Sequence, residues 1–575
     1  MADYKKILKK IFTYHEPQKV ERFILKEKQS EGFEKGMKKE PNKEKGDLPK
    51  VIYKRPDAGG EQDKKVCEEK LVSIKLDENS DYLKRVYSVP ENGDIVLREF
   101  DITVGSKIIR AFIIFYDGMT NDNIINSSIM QPLMLLSNLD IKGEKRELTE
   151  YISRQLVPHS QIREFRKMKK VIDEVNFGGC GIFIDGVDSA FTCDAKGWES
   201  RGVERPEVEN VVRGPQEGFT ETLRTNTALV RKILKDEDLV AVDVSVGNRS
   251  KTPCSLMYIK DIANSSLVSE IKRRLEGIDV DYIFDSGELE QFLEDNPFLT
   301  APQIIASERP DRVAAALSDG KIAIIMSGSP FALIVPTTNL DLLQSAEDTY
   351  MRFPYANLVR IIRTIAIFVS LLLPGLYVAI TNFHHEMIPT ELLLAIEASR
   401  ELVPFPSVVE ILIMEFAFEL ILEAGIRRPG PLGPTLGIIG ALVLGQAAVA
   451  ANVVSPIMII IVAVTGIGSF AIPNFGLGLS FRLLRFVFIF LASLSGFLGI
   501  TFGLFVYGTW LCSAKSFGVP FMSPIGPKTH SSFVGPFVRS PIWKQERRPD
   551  YLNPKDVDRQ PNISRKWTKN DKKKQ

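Results

Sequence analysis

Cysteine is scarce: the 575-residue chain has five, Cys67, Cys180, Cys193, Cys254 and Cys512, and none forms a CxxC pair or stands at the spacing of a metal finger. A disulfide scaffold and a cysteine-built zinc site are therefore excluded, and a reducing compartment fits best. An apolar run is missing from the N-terminus, where MADYKKILKKIFTYH offers basic residues but no secretory core. Whatever folds ahead of the first apolar segment is expected to stay in the cytoplasm. Net charge is almost absent too, at +1, which removes the electrostatic argument for nucleic acid as a partner. The averages conceal a segregation, because nearly all charge lies outside residues 364–514. A chain this long exceeds what one hydrophobic core supports, so two or three packed regions are expected.

Residues 1–69 read as a basic, disordered N-terminal extension; its first fifty residues carry fourteen Lys or Arg against nine Asp or Glu. Within it, Lys5, Lys6, Lys9 and Lys10 beside Ile7, Leu8, Ile11 and Phe12 form a pattern that suits either an anionic membrane surface or a solvated tail. A small α/β subdomain is expected over 70–160, where Asp94 to Phe100 alternates apolar and polar and Lys107 to Tyr116 is a β-branched run. A second α/β subdomain is expected over 161–350, opening with GIFIDG (181–186). Its buried-strand candidates are Leu239–Val246, Lys321–Met326 and Phe331–Val335, with helical patterns at Glu221–Leu234, Leu267–Leu275 and Pro310–Leu317 between them.

The character then changes to an α-helical transmembrane bundle over 351–514. Thr364 to Phe383 is twenty residues without a charge, about the thickness of a bilayer's hydrocarbon core. Pro429 to Phe481 is fifty-three residues without Asp, Glu, Lys, Arg or His, and Phe486 to Ala514 adds another uncharged run. Spans are expected at about 364–383, 433–452, 456–473 and 486–511, with membrane lipid around them. Residues 515–575 hold fourteen Lys or Arg against five Asp or Glu and read as a disordered, cytoplasmic tail.

An acidic helical segment, 388–424, separates the first two uncharged runs, and residues 384–428 hold eight glutamates and three arginines. Glu415, Glu419 and Glu423 are spaced four apart and share a helix stripe about 80° wide. Carboxylates on an otherwise apolar helix must face water, another polar group or a pore, since exposure to lipid costs several kcal/mol. Copies around an axis would turn the stripe into acidic rings suited to cations, whereas a helix lying on the membrane surface would keep the acids in water. Glu410 joins these as a pore or gating candidate, as do Pro374, Gly375 and Pro456, where a broken helical hydrogen bond gives either a hinge or a static kink. Whether 408–424 crosses the membrane is left open, and both termini are expected on the inside.

Other motifs carry no chemistry. FGGCG (177–181) precedes a strand rather than following one, and GIGSFA (466–471) lies inside an uncharged run, so no cofactor site is expected. His384 and His385 read as an interfacial pair, and Cys180 and Cys193 as core thiols.

The strings GPQEGFTETLRTNTALVR (214–231), FLTAPQIIASERPDRV (298–313), GKIAIIMSGSPFALIVPTT (320–338), EDTYMRFPY (347–355) and LLPGLYVAI (372–380) make the chain resemble the A subunit of GerA-type germinant receptors of spore-forming bacteria. IPTELLLAIEASRELVPFP (388–406), EFAFELILEAGIRRPGPLG (415–433) and NVVSPIMIIIVAVTGIGSFAIP (452–473) extend the likeness, which covers roughly 145–527 and leaves residues 1–140 unmatched. The resemblance implies an oligomeric, germinant-gated cation-conducting subunit of the spore inner membrane that triggers germination by ion release and catalyses no reaction. It further implies a transporter-like B subunit that binds the germinant, a lipoprotein C subunit, and a homo-oligomeric ring. Arg224, Arg309 and Arg312, which lie in these strings, are candidates for interdomain or assembly contacts. An accessory paralogue associated with the dipicolinic-acid release channel shares much of the membrane pattern. A secondary transporter and a scaffold are the rivals from other classes, the former requiring inverted repeats that the sequence does not display.

Overall fold

The computed structural model describes residues 70–104, 107–135, 162–197, 205–206, 208–426, 443–529, 535, 537–561 and 564. The expected N-terminal extension and the amphipathic pattern of Lys5 to Phe12 lie outside them. Two five-stranded sheets make up the region ahead of the apolar helices. The first holds β1 (Ile95–Val104), β2 (Lys107–Tyr116), β3 (Ile162–Phe165), β4 (Cys180–Ile184) and β5 (Ala190–Cys193), in the order β1-β2-β4-β5-β3. The second holds β6 (Leu239–Val246), β7 (Thr252–Ile259), β8 (Ile305–Ser307), β9 (Ile322–Met326) and β10 (Ala332–Val335), in the order β6-β7-β9-β10-β8. Neighbouring strands are antiparallel throughout.

The second order repeats the first, strand for strand. Helices α1 (Leu76–Val86) and α2 (Met168–Asn176) cover one face of the first sheet, and α3 (Leu223–Ile233), α4 (Ser265–Glu276), α5 (Ser286–Leu293) and α6 (Pro310–Ser318) sandwich the second. Helix α2 leads into β4 as α6 leads into β9, and both helices have nine residues. Gly178 and Gly186, at φ 86 and 85, flank β4; Gly320 and Gly328, at φ 94 and 91, flank β9. Those left-handed turns are open to glycine at little cost. Helical residues 124–135 cover the other face of the first sheet, so both sheets are covered on both faces and their central strands read as unbroken apolar runs. Along β9, Ile322, Ile324 and Met326 pack with α4 and α5, while Ala323 and Ile325 pack with α3 and α6.

This architecture moves the expected boundary at residue 160. GIFIDG does not open the second unit: Gly181 to Ile184 of β4 pair with Ile114 to Ala111 of β2, deep in the first sheet. A helix followed by an apolar strand looks like a fresh start in sequence, and only the long-range pairing shows otherwise. The first sheet therefore runs to β5, and the second unit opens near α3.

The apolar region contains α7 (Phe353–Phe383), α8 (Thr390–Arg400), α9 (Ser407–Ile426), α10 (Pro456–Phe470), α11 (Phe475–Ser495) and α12 (Phe497–Ser513). Among the described residues, α7 and α11 are long and apolar enough to cross a membrane, while α10 and α12 are shorter apolar helices. Most of the expected span 433–452 lies outside the described residues, which resume with helical residues 443–450. The expected span 486–511 is corrected: it is not one helix, because Gly496 at φ 59 and ψ −134 ends α11 and begins α12.

The tail is corrected as well. Residues 515–529 and 537–561, expected to be disordered, pack on the second sheet and its helices. Phe517, Val519 and Leu552 are buried with α4 and α5, and Lys555 N donates to Ile262 O at 2.8 Å. Basic composition hid these few well-spaced apolar anchors. The tail thus lies on the same side of the helices as the two sheets.

Candidate functional site

Helix α9 is apolar apart from its glutamates, and the structure gives those carboxylates partners from other helices. Glu415 is fully buried and pairs with Arg485 of α11. Arg485 Nε donates to Ser370 O at 2.9 Å and Nη2 to Ser370 Oγ at 3.1 Å, so one guanidinium joins α7, α9 and α11. One turn further along, Arg482 Nη1 lies 3.1 Å from Glu419 Oε2. The four-residue spacing of the acids meets the three-residue spacing of the arginines across two antiparallel helices. Oε1 of Glu415 and of Glu419 has no hydrogen-bond partner among the described residues. Glu410, also fully buried, accepts from Arg400 Nε of α8 at 3.2 Å and from Ser455 N at 3.0 Å. Glu423 is exposed.

Two acids of the stripe, Glu415 and Glu419, are thus paired with arginines of α11, and Glu415 is enclosed among the described residues. Arg400, Arg482, Arg485, Ser370 and Ser455 were not singled out by the sequence reading. The signal was present: Arg482 and Arg485 stand between two uncharged runs, where a charge without a partner is too costly to keep.

The other gating candidates lie at a helix–helix contact and at a helix start. A Cβ on Gly375 would lie 3.2 Å from Phe488 O, so glycine lets α7 approach the backbone of α11; Pro374 beside it is buried within α7. Pro456 begins α10, where its missing N–H leaves no helical bond unmade. His384 stacks on Phe497 at 4.8 Å, beside the Gly496 turn.

The arginines of the sheet region hold its parts together. Arg224 lies 3.2 Å from Asp117 of the first unit and 2.8 Å from Asp243 of the second. A Cβ on Gly118 would come within 2.9 Å of Arg224 O, which makes glycine necessary at this close approach. Nearby, and unflagged by the sequence, Arg231 binds both oxygens of Asp94, at 2.6 and 2.8 Å, across the same boundary. Arg309 donates to Glu209 O at 3.1 Å, to Pro215 O at 2.9 Å and to Asp311 at 2.9 Å; Arg312 pairs with Glu209. Together they fasten residues 209–215 to α6. Arg360 and Arg363 of α7 converge on Asp348, at 3.0 and 2.9 Å, and Arg539 of the tail donates to Asp348 O. That aspartate ties the second sheet unit, the first apolar helix and the tail at one point.

The family described as Bacillus/Clostridium GerA spore germination protein matches residues 81–551. The chain is 41% identical over 490 residues to spore germination protein KA of Bacillus subtilis (strain 168), covering 85% of this chain and 89% of that protein. It is 39% identical over 456 residues to the uncharacterized membrane protein YfkQ of the same organism, covering 79% and 87%. Among solved structures, the N-terminal domain of the A subunit of the Bacillus megaterium spore germinant receptor GerK3 is 31% identical, with a TM-score of 0.37, over 46% of this chain and 96% of that one. The match from residue 81 brings much of the first sheet, left unassigned by the string comparison, inside the family.

Proposed function

The chain belongs to the GerA family of spore germination proteins, and from that membership we propose that it is a germinant receptor A subunit that assembles with copies of itself in the spore inner membrane and opens a cation path when a germinant binds. The partners in this reading are a transporter-like B subunit that holds the germinant and a lipoprotein C subunit, with the two sheets on the cytoplasmic side. The observation that carries it is the ladder of Arg485–Glu415, Arg482–Glu419 and Arg400–Glu410 inside the apolar helices. Ionisable residues in a membrane are expensive, and a subunit that releases ions would have a use for them.

The ladder supports a latch. With the arginines in place the acids are neutralised and the path is closed. Germinant binding stabilises an arrangement in which α9 shifts against α11 and Glu415 and Glu419 turn toward permeating cations, and it shifts the equilibrium by its differential affinity for the two states. Glu419, with one oxygen held and one free of a partner among the described residues, is the rung that opens first.

Potassium release from spores tests this. Arg482→Gln removes one rung, and the expected result is release without germinant, with Glu419→Gln in the same chain returning the spores to rest. Receptor abundance in the spore membrane is measured alongside. Normal release in both variants at normal abundance rejects the latch.

A further inference from the structure

We propose that helix α8 is a docking surface for a second protein that presents apolar side chains set among lysines and arginines. The inference stands apart from the channel reading and needs only the place of α8 in the fold. The segment 384–406 is an excursion at the end of the helices remote from the sheets. Ser407 Oγ donates to Asn382 Oδ1 at 2.7 Å where the excursion closes, and Gly496, between α11 and α12, meets Phe383 and His384 there. At the opposite end, Gly476 of α11 adjoins Pro302 of the second sheet unit.

One side of α8 is held by its own chain. Ile396 is buried, Leu393 is half-buried and Arg400 reaches Glu410, an i, i+3, i+7 set that defines a single face. The other side has no cover: Leu392 and Leu394 are exposed, as is Leu402 just past the helix, the last two at 61% and 72%. Leu394 stands three residues after Glu391 and three before Glu397, so both acids neighbour it on the helix surface. These two are exposed, as are Glu386 and Glu401, and none of the four is in an ion pair among the described residues. The described stretches 380–410, 450–458 and 492–500 at this end contain one Lys or Arg, Arg400, which Glu410 already holds.

This pattern selects the occupant. An exposed apolar strip marks a contact with lipid or with protein. A helix that rests on a bilayer separates its apolar face from a basic polar one. Helix α8 instead mixes leucine and glutamate, so sinking Leu394 in lipid would carry Glu391 and Glu397 with it at a cost of several kcal/mol. A second copy would bring four more acids and no free cation to the same end. A protein with lysines and arginines around an apolar patch buries the leucines and pairs the acids at once, the charge complementarity that gives an interface its specificity.

The full chain in spores, with the photoreactive residue p-benzoylphenylalanine in place of Leu394 or, separately, of Leu402, tests this. At both positions irradiation should join the chain to another polypeptide, and mass spectrometry of the joined peptide should find Lys or Arg on both sides of the attachment point. Glu391→Lys with Glu397→Lys in the same chain should lower the yield per chain about tenfold, and Glu391→Gln with Glu397→Gln about threefold. Reversing the charges beside the attachment point in the partner should restore the yield of the lysine variant. Adducts with lipid, adducts with a second copy of the chain, or no adduct at either position overturn the proposal, as does a yield that the charge variants leave unchanged.

Discussion

Two buried guanidinium–carboxylate pairs, one in each half of the molecule, are built differently. Arg231 between the sheets is fully engaged: it takes both oxygens of Asp94, donates to Leu239 O at 2.9 Å and to Asn92 Oδ1 at 3.2 Å, and lies 4.2 Å over the Tyr116 ring. Arg485 between the apolar helices has Glu415 and Ser370, and Glu415 keeps one oxygen without a hydrogen-bond partner among the described residues. The first pair is over-determined, with no second arrangement to offer. The second has spare capacity, which is what an element with two states requires. Burial of charge is common to both pairs; what differs is how many hydrogen bonds meet it.

Arg231→Leu strands Asp94 in the interior and is expected to cost about 3–5 kcal/mol, read as a collapse in the melting temperature of the sheet region. Arg485→Leu is expected to destabilise the helices by a similar amount, but Glu415→Leu with Arg485→Leu should restore most of the loss, because an apolar pair of similar volume replaces the ion pair. Asp94→Leu with Arg231→Leu should restore little, since Leu239 O and Asn92 Oδ1 each lose one donor too, Asn92 Oδ1 keeping only Ala241 N. Equal recovery of the two double variants in thermal melts of the detergent-solubilised chain would erase the distinction. Within the sheet region, the repeat implies matched effects: Gly178→Ala and Gly320→Ala should each cost about 1–2 kcal/mol through left-handed strain. A loss confined to one of them would show that the two units have diverged in their tolerance. The smallest effect concerns Glu290 on α5, whose carboxyl is raised from 4.5 to about 7 by burial and then by Glu294. The folded state binds the extra proton, so stability falls as pH rises from about 4.5 through 7 and stays reduced above. Glu290→Gln should therefore gain on the order of 1 kcal/mol at pH 8 and nothing at pH 4, measured as a melting-temperature profile.

Local signals in the sequence reached far into the fold. Lys107–Tyr116 and Leu239–Val246 are strands with those bounds, and Pro310 marks the start of α6, because period and punctuation are short-range properties. The repeat of the two sheets was not legible, since it lives in strand order rather than in matching residues. Strand β7 was missed because Pro253 and Cys254 interrupt its apolar pattern, and its place is set by β6 and β9 on either side. For the helical region, spacing put Glu415 and Glu419 on one stripe, but periodicity gives a face and not the neighbour it meets. The arginines opposite stand more than sixty residues later and declare themselves only when α11 is laid against α9.

The return of the tail fixes an order of events. Lys555 N bonds to Ile262 O, and Asn264 Nδ2 to Asn553 O across 289 residues, so the second sheet unit acquires these contacts only after every apolar helix has left the ribosome. With the unit uncapped until then, the packed C-terminal strap is the last piece of this fold to be set in place, a closure made after the chain is otherwise complete.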